Sequence, residues 1–234
     1  MSMDPAQSPV AMPATQQSFS DVWLKALTQP SVATYENFLS RPGVGLGRAF
    51  IWVFVGSFVG SMIAFLGLYL SGRFSNLGLD QASGIAPGVS FLLILFVCGV
   101  PISAAFGIIG LVIVAGVGQL AARLLGGKGS FTELAYALSA YLAPMSIVTA
   151  LLGIIPFIGC LNIFLAIYGM FLNVVAVKAV HRFDWGRAVI SSLAFLAVIL
   201  VLVGCIVVVL LALVGPMVGN VFSNVIQGLG TPLP

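Results

Sequence analysis

Residues 126–130 read Gly-Gly-Lys-Gly-Ser, the residue types that cradle phosphate in nucleotide-binding loops. That chemistry needs a strand, a first glycine at a set distance, and a Lys followed by Ser or Thr that reach the outer phosphates and the metal. Here Lys128 is followed by Gly129, no glycine stands at the first position, and the preceding segment is long and apolar. A hinge fits better. Gly126 and Gly127 stop one helix as C-terminal glycines do. Ser130 starts the next, with Glu133 three residues on, the spacing of a capping box. Lys128 and Ser130, beside the amides of a helix start, are candidates for holding a lipid phosphate.

Few other residues are equipped for chemistry. His181 is the lone histidine, in Val-His-Arg-Phe-Asp-Trp-Gly-Arg, and is expected to be a solvated loop residue. Asp184 partly offsets Arg182 and Arg187, and Trp185 anchors the segment that follows. Cys98, Cys160 and Cys205 lie in apolar runs without CxxC spacing and are expected to be small core residues. No catalytic residue, metal ligand or cofactor is expected.

Small and polar residues inside apolar segments are the remaining signal. Gly56 and Gly60 are spaced GxxxG, and Gly99, Ser103 and Gly107 follow the same step. Asn162, Ala166, Gly169 and Asn173 share a helical face, as do Tyr136, Ala140 and Pro144. Such faces join helices in lipid. The alternative is a polar-lined cavity for a small substrate or lipid, built from Asn162, Asn173, Gly169, Tyr136 and Pro144. No ionisable residue falls at mid-bilayer, which counts against a proton- or ion-coupled pump.

These residues must be positioned by membrane helices. The 234-residue chain is 60% hydrophobic and 6% charged, where soluble domains carry about 25% charged residues. A helix crosses the ~30 Å hydrocarbon core with about 20 apolar residues. Residues 49–70, 89–125, 132–155, 157–177 and 188–214 meet that length, giving five spans. Lys25, Arg41, Arg48, Arg123, Lys128, Lys178, Arg182 and Arg187 then share one side, against Arg73 alone on the other. This asymmetry places the N-terminus in the cytoplasm and the C-terminus outside. A sixth span divided at Pro101 would lose the pattern. The surplus of the second segment, residues 115–125, is expected to project into or lie along the cytoplasmic interface.

The fold expected is all-α: a polytopic transmembrane bundle of five spans with short amphipathic interfacial helices at both ends. Residues 1–17 read as a disordered tail, 18–47 as cytoplasmic interfacial helices, 48–215 as the transmembrane domain and 216–234 as an external amphipathic tail. Phe19, Val22, Trp23, Ala26 and Leu27 form one apolar face, and Val32, Tyr35, Phe38 and Leu39 another. Each suits either the headgroup layer or the bundle's own loops. Val218, Val221, Phe222, Val225, Ile226 and Leu229 repeat the pattern at the other end.

The stretches TQPSVATYENFLSRP, LLGGKGSFTELAYALSAYLAP, IIPFIGCLNIFLAIYGMFLNVVAVKAV and WGRAV, taken together, resemble the YIP family of five-span membrane proteins, named for interaction with Ypt/Rab GTPases. The similarity runs from about Ala26 to Leu213 and is nearest to the short bacterial members. It implies a non-enzymatic integral membrane protein of the bacterial cytoplasmic membrane. Among the family's functional positions, only Glu133 is a candidate here.

The function expected is a scaffold that binds membrane lipids and other integral membrane proteins, self-association included, with no nucleic-acid partner. An accessory architectural subunit of a respiratory or photosynthetic complex is one alternative. A small-solute or lipid carrier is the other.

Overall fold

The computed structural model describes residues 18–71, 94–155 and 158–230. The expected tail at 1–17, Arg73 and the apolar side chains of the C-terminal face at 218–229 lie outside the described residues. Within them the chain is helical and holds no strand.

Helix α1, Phe19–Thr28, stops ahead of Pro30, which disfavours helix at the residue before it. Helix α2, Val32–Leu39, starts at Ser31, whose side chain accepts from the Thr34 amide at 3.1 Å. It ends short of Pro42. Helix α3 covers Leu46–Leu70. The next helix opens with a π-helical turn, Leu95–Gly99, and continues as α4, Val100–Leu124. Pro101 stands in the first turn after it, where a ring that cannot donate is accommodated. Helix α5, Phe131–Ile154, carries Pro144 in its interior. A short 3₁₀ turn, Ile158–Cys160, leads into α6, Leu161–His181. Helix α7 runs over Trp185–Gly230.

Among the described residues four helices are long and apolar enough to cross a membrane, not the five expected: Leu46–Leu70, Phe96–Leu124, Phe131–Ile154 and Leu161–His181. The expected fifth crossing, 188–214, falls within α7 and is not among these four; the apolar helix found there is the shorter Trp185–Val198. Residues 1–192 and 193–234 form two compact units. The first unit carries α1 to α6 and the start of α7.

Its core is α5, packed against α3, α4 and α6. Large apolar side chains point outward, among them Phe106, Ile163 and Phe164. Small ones point inward, including Ala135, Ala137, Ala140 and Ala143. Lipid tails are as apolar as leucine, so close backbone approach, rather than removal of oil from water, selects the inner face. The α3–α5 seam shows this. A Cβ added at Gly56 would lie 2.4 Å from the Ala143 carbonyl oxygen, and one at Gly60 2.9 Å from that of Ser146.

Helices α1 and α2 turn their apolar faces onto the bundle. Helix α1 packs on α5, and α2 packs on α6 and α5. Val22, Ala26, Tyr35 and Phe38 are buried there. The surplus of the second segment is not a separate piece of chain. It stays helical as the end of α4 and buries Ala115, Gly118, Gln119 and Ala122.

Candidate functional site

The end of the bundle that gathers the basic residues is organised around the 126–130 loop. Gly126 takes φ +86°, a left-handed conformation that ends α4. The Gly127 amide donates back to the Ala122 carbonyl at 2.8 Å. The loop is pressed against the end of α6. A Cβ at Gly127 would meet His181 Nδ1 at 2.7 Å and Phe183 Cζ at 2.8 Å; one at Gly129 would meet Val180 Cγ1 at 2.4 Å and its carbonyl oxygen at 2.6 Å.

Hydrogen bonds complete the clasp. The Gly129 amide donates to His181 Nδ1 at 3.1 Å, and its carbonyl accepts from Gln119 Nε2 at 2.8 Å. One residue therefore ties α4, α5 and α6 together. His181 is buried and stacks on Phe183 at 5.5 Å, so it is not the solvated loop residue expected. Accepting through Nδ1 makes it a neutral imidazole with its proton on Nε2. The sequence offered no sign of this, because the partner amide lies 52 positions away.

Ser130 and Glu133 form a reciprocal cap. The Ser130 amide and hydroxyl donate to Glu133 Oε2 at 2.8 and 2.9 Å, and the Glu133 amide donates to Ser130 Oγ at 3.2 Å. The Gly129 and Ser130 amides are engaged, one by imidazole and one by carboxylate. Exposed Lys128 stands beside them. An anion arriving here would face Glu133.

Aromatic and basic side chains brace the same end. Arg48 lies over Trp52 at 5.0 Å, and Trp52 packs on Tyr136 at 5.0 Å. Lys178 Nζ donates to the Phe183 carbonyl at 2.8 Å and lies over Trp185 at 4.9 Å. The Tyr168 hydroxyl donates to the Leu27 carbonyl and pins the end of α1 to α6. Burial, with Tyr141 and Tyr168 nearby, pushes the Tyr35 phenol well above its usual range, so it stays neutral.

The helix-packing or cavity candidates of α5 and α6 sit mostly in the packed interior. Tyr136 and Pro144 are buried within α5 contacts. Asn173 is buried, Asn162 is half-buried, and Gly169 faces Met145 Cε at 3.7 Å. A cavity of ≈ 570 Å³ instead opens between α3, α4 and α5, with Ser57, Ser61, Ser103, Ser146 and Thr149 supplying hydroxyls. Gly60 lines it too. Ser103 Oγ donates to Ser61 Oγ at 2.7 Å, while Ser146 and Thr149 bond to α5 carbonyls. The Ser57–Ser61 step beside Gly56–Gly60 was the one available signal. The three cysteines are exposed rather than in the core as expected.

A family model, the Yip1 domain, matches residues 24–208. No curated protein and no solved structure matches the chain.

Proposed function

The chain belongs to the Yip1 domain family, and from that premise we propose that it is a non-enzymatic membrane scaffold that binds other integral membrane proteins and lipids. The clasp at the basic end carries this reading. Gln119, Gly129 and His181 are bonded to one another, and Ser130 is bonded to Glu133. Such an arrangement holds a surface in shape and leaves nothing to turn over a substrate. In this reading α7 supplies a fifth crossing within 188–214, the basic end faces the cytoplasm of a bacterial cell, and the C-terminus lies outside. The domain boundaries follow at 17, 47 and 215, with α1 and α2 at the inner interface.

A photoreactive residue at Leu24, 64% exposed on α1, tests the scaffold in native membranes. A discrete protein adduct at Leu24, with only lipid adducts at Phe106 on the outer face of α4, is expected. Lipid adducts alone at both positions would remove the reading. Tags at the two termini accessible from the same side of a sealed vesicle would remove the topology.

The hydroxyl-lined cavity favours a second reading, a carrier of a small neutral solute or lipid. Leucine at Ser61 and Ser103 together would fill it. Proteoliposome flux unchanged by that pair of substitutions would dismiss the carrier.

A further inference from the structure

A second feature of the basic end is open where the 126–130 loop is closed. Between α1 and α2 lies a cleft of ≈ 290 Å³ with Lys25 on one wall and Arg41 at the end of the other. Gln29, Thr34 and Asn37 add neutral polar groups, and Phe38 forms part of an apolar floor. No carboxylate lines it. Asp21 sits one turn before Lys25 on α1 and is not part of the wall. Glu36 is turned to a different cleft, beside Glu133 and Arg182.

Two cations of different reach, converging with amide and hydroxyl donors and without a counter-charge in the wall, suit a phosphate oxyanion. Arg offers a planar fork and Lys a point charge, and both donate charge-assisted bonds. The source of the phosphate follows from where the cleft is held. Leu27, two residues past Lys25, accepts from Tyr168, which belongs to a membrane-crossing helix. Leu24, next to Lys25, is exposed, as is Phe19 at the start of the helix. The cleft is therefore tied to a helix long and apolar enough to cross a membrane, with apolar side chains exposed beside it. Basic residues at such a surface draw anionic lipid.

We propose that the Lys25–Arg41 cleft is a phosphate site filled by the headgroup of an anionic phospholipid. This goes beyond the scaffold reading and holds whether or not a protein partner is found. It also relocates lipid phosphate from the 126–130 loop, where Glu133 already takes the place of the anion, to the α1–α2 cleft.

Purified full-length protein in detergent, titrated with phosphatidic acid, phosphatidylcholine and inorganic phosphate and read by native mass spectrometry, tests it. The wild type should retain phosphatidic acid over phosphatidylcholine. Lys25→Gln with Arg41→Gln should weaken phosphatidic acid by about tenfold or more, from two lost cation contacts. Lys128→Gln should leave it within about twofold, since that lysine stands beside a carboxylate. Lys25→Arg with Arg41→Lys should retain binding, which separates charge recognition from damage to the helices. Equal retention of the two lipids by the wild type, or undiminished phosphatidic acid on the double glutamine variant, overturns the site. Inorganic phosphate bound in the absence of any lipid preference overturns the lipid assignment.

Discussion

The amide of Gly129 donates to His181 Nδ1 at 3.1 Å, so the entry to α5 and the last residue of α6 are bonded across 52 positions of chain. The bond is buried, and the glycine has no room for a side chain. Hydrogen-bond chemistry and backbone approach therefore act on one residue, and each has a distinct mutational signature.

His181→Ala leaves a buried N–H without its acceptor and should cost about 1–3 kcal/mol. Asparagine can offer Oδ1 near the position of Nδ1, so His181→Asn should recover part of that loss. Thermal unfolding in detergent, followed by circular dichroism, gives the comparison; equal losses would mean that stacking on Phe183 matters more than the hydrogen bond.

Gly129→Ala drives a Cβ to 2.6 Å from the Val180 carbonyl oxygen, a backbone atom with little freedom to move. A loss of about 1–3 kcal/mol is expected, the range for overpacking. Gly116→Ala in α4 meets nothing within 4 Å and should be neutral or slightly stabilising. Yields of monodisperse protein after heating should rank the two accordingly.

At the α3–α5 seam the order Gly56→Ala, Gly60→Ala, Gly153→Ala should run from most to least damaging. Their added Cβ atoms would lie 2.4 Å from backbone, 2.9 Å from backbone, and clear of any atom within 4 Å. The first should cost about 1–3 kcal/mol. A flat series would show that the two helices slide apart freely.

Tyr168→Phe removes the donor to the Leu27 carbonyl and leaves the ring in place. The expected cost is about 0.5–1.5 kcal/mol, concentrated in α1. Limited trypsin digestion reads it directly, because Lys25 is the basic residue of that helix. Cleavage there should accelerate while cleavage at Arg182 is unchanged. Equal acceleration at both sites would point to global loosening.

Contacts between near neighbours were open to reading from the chain alone. The Ser130–Glu133 cap joins residues three apart, Pro30 and Pro42 bound α2, and Gly126 with Gly127 separates α4 from α5. The apolar lengths that can cross a bilayer are likewise a property of each segment by itself, and four of them form such helices. Each of these depends on side chains within a turn or so, or on a sum over one helix.

Which face turns inward was decided only when the helices met. In a soluble protein the contrast between apolar and polar marks the buried side. Here both sides are apolar, because lipid replaces water as the neighbour. Asn162 and Asn173 suited helix packing or a cavity wall alike, and the ≈ 570 Å³ cavity has in its wall Ser61 and Ser103, which approach each other from α3 and α4. His181 looked solvated, yet the 126–130 loop covers it. The faces of α1 and α2 suited lipid and protein equally, and Tyr168 with the α5–α6 surface settled them onto protein. The sequence by itself determined helical segments and the turns between them. The tertiary structure decided burial and the sites, because both depend on atoms brought together from positions far apart in the chain.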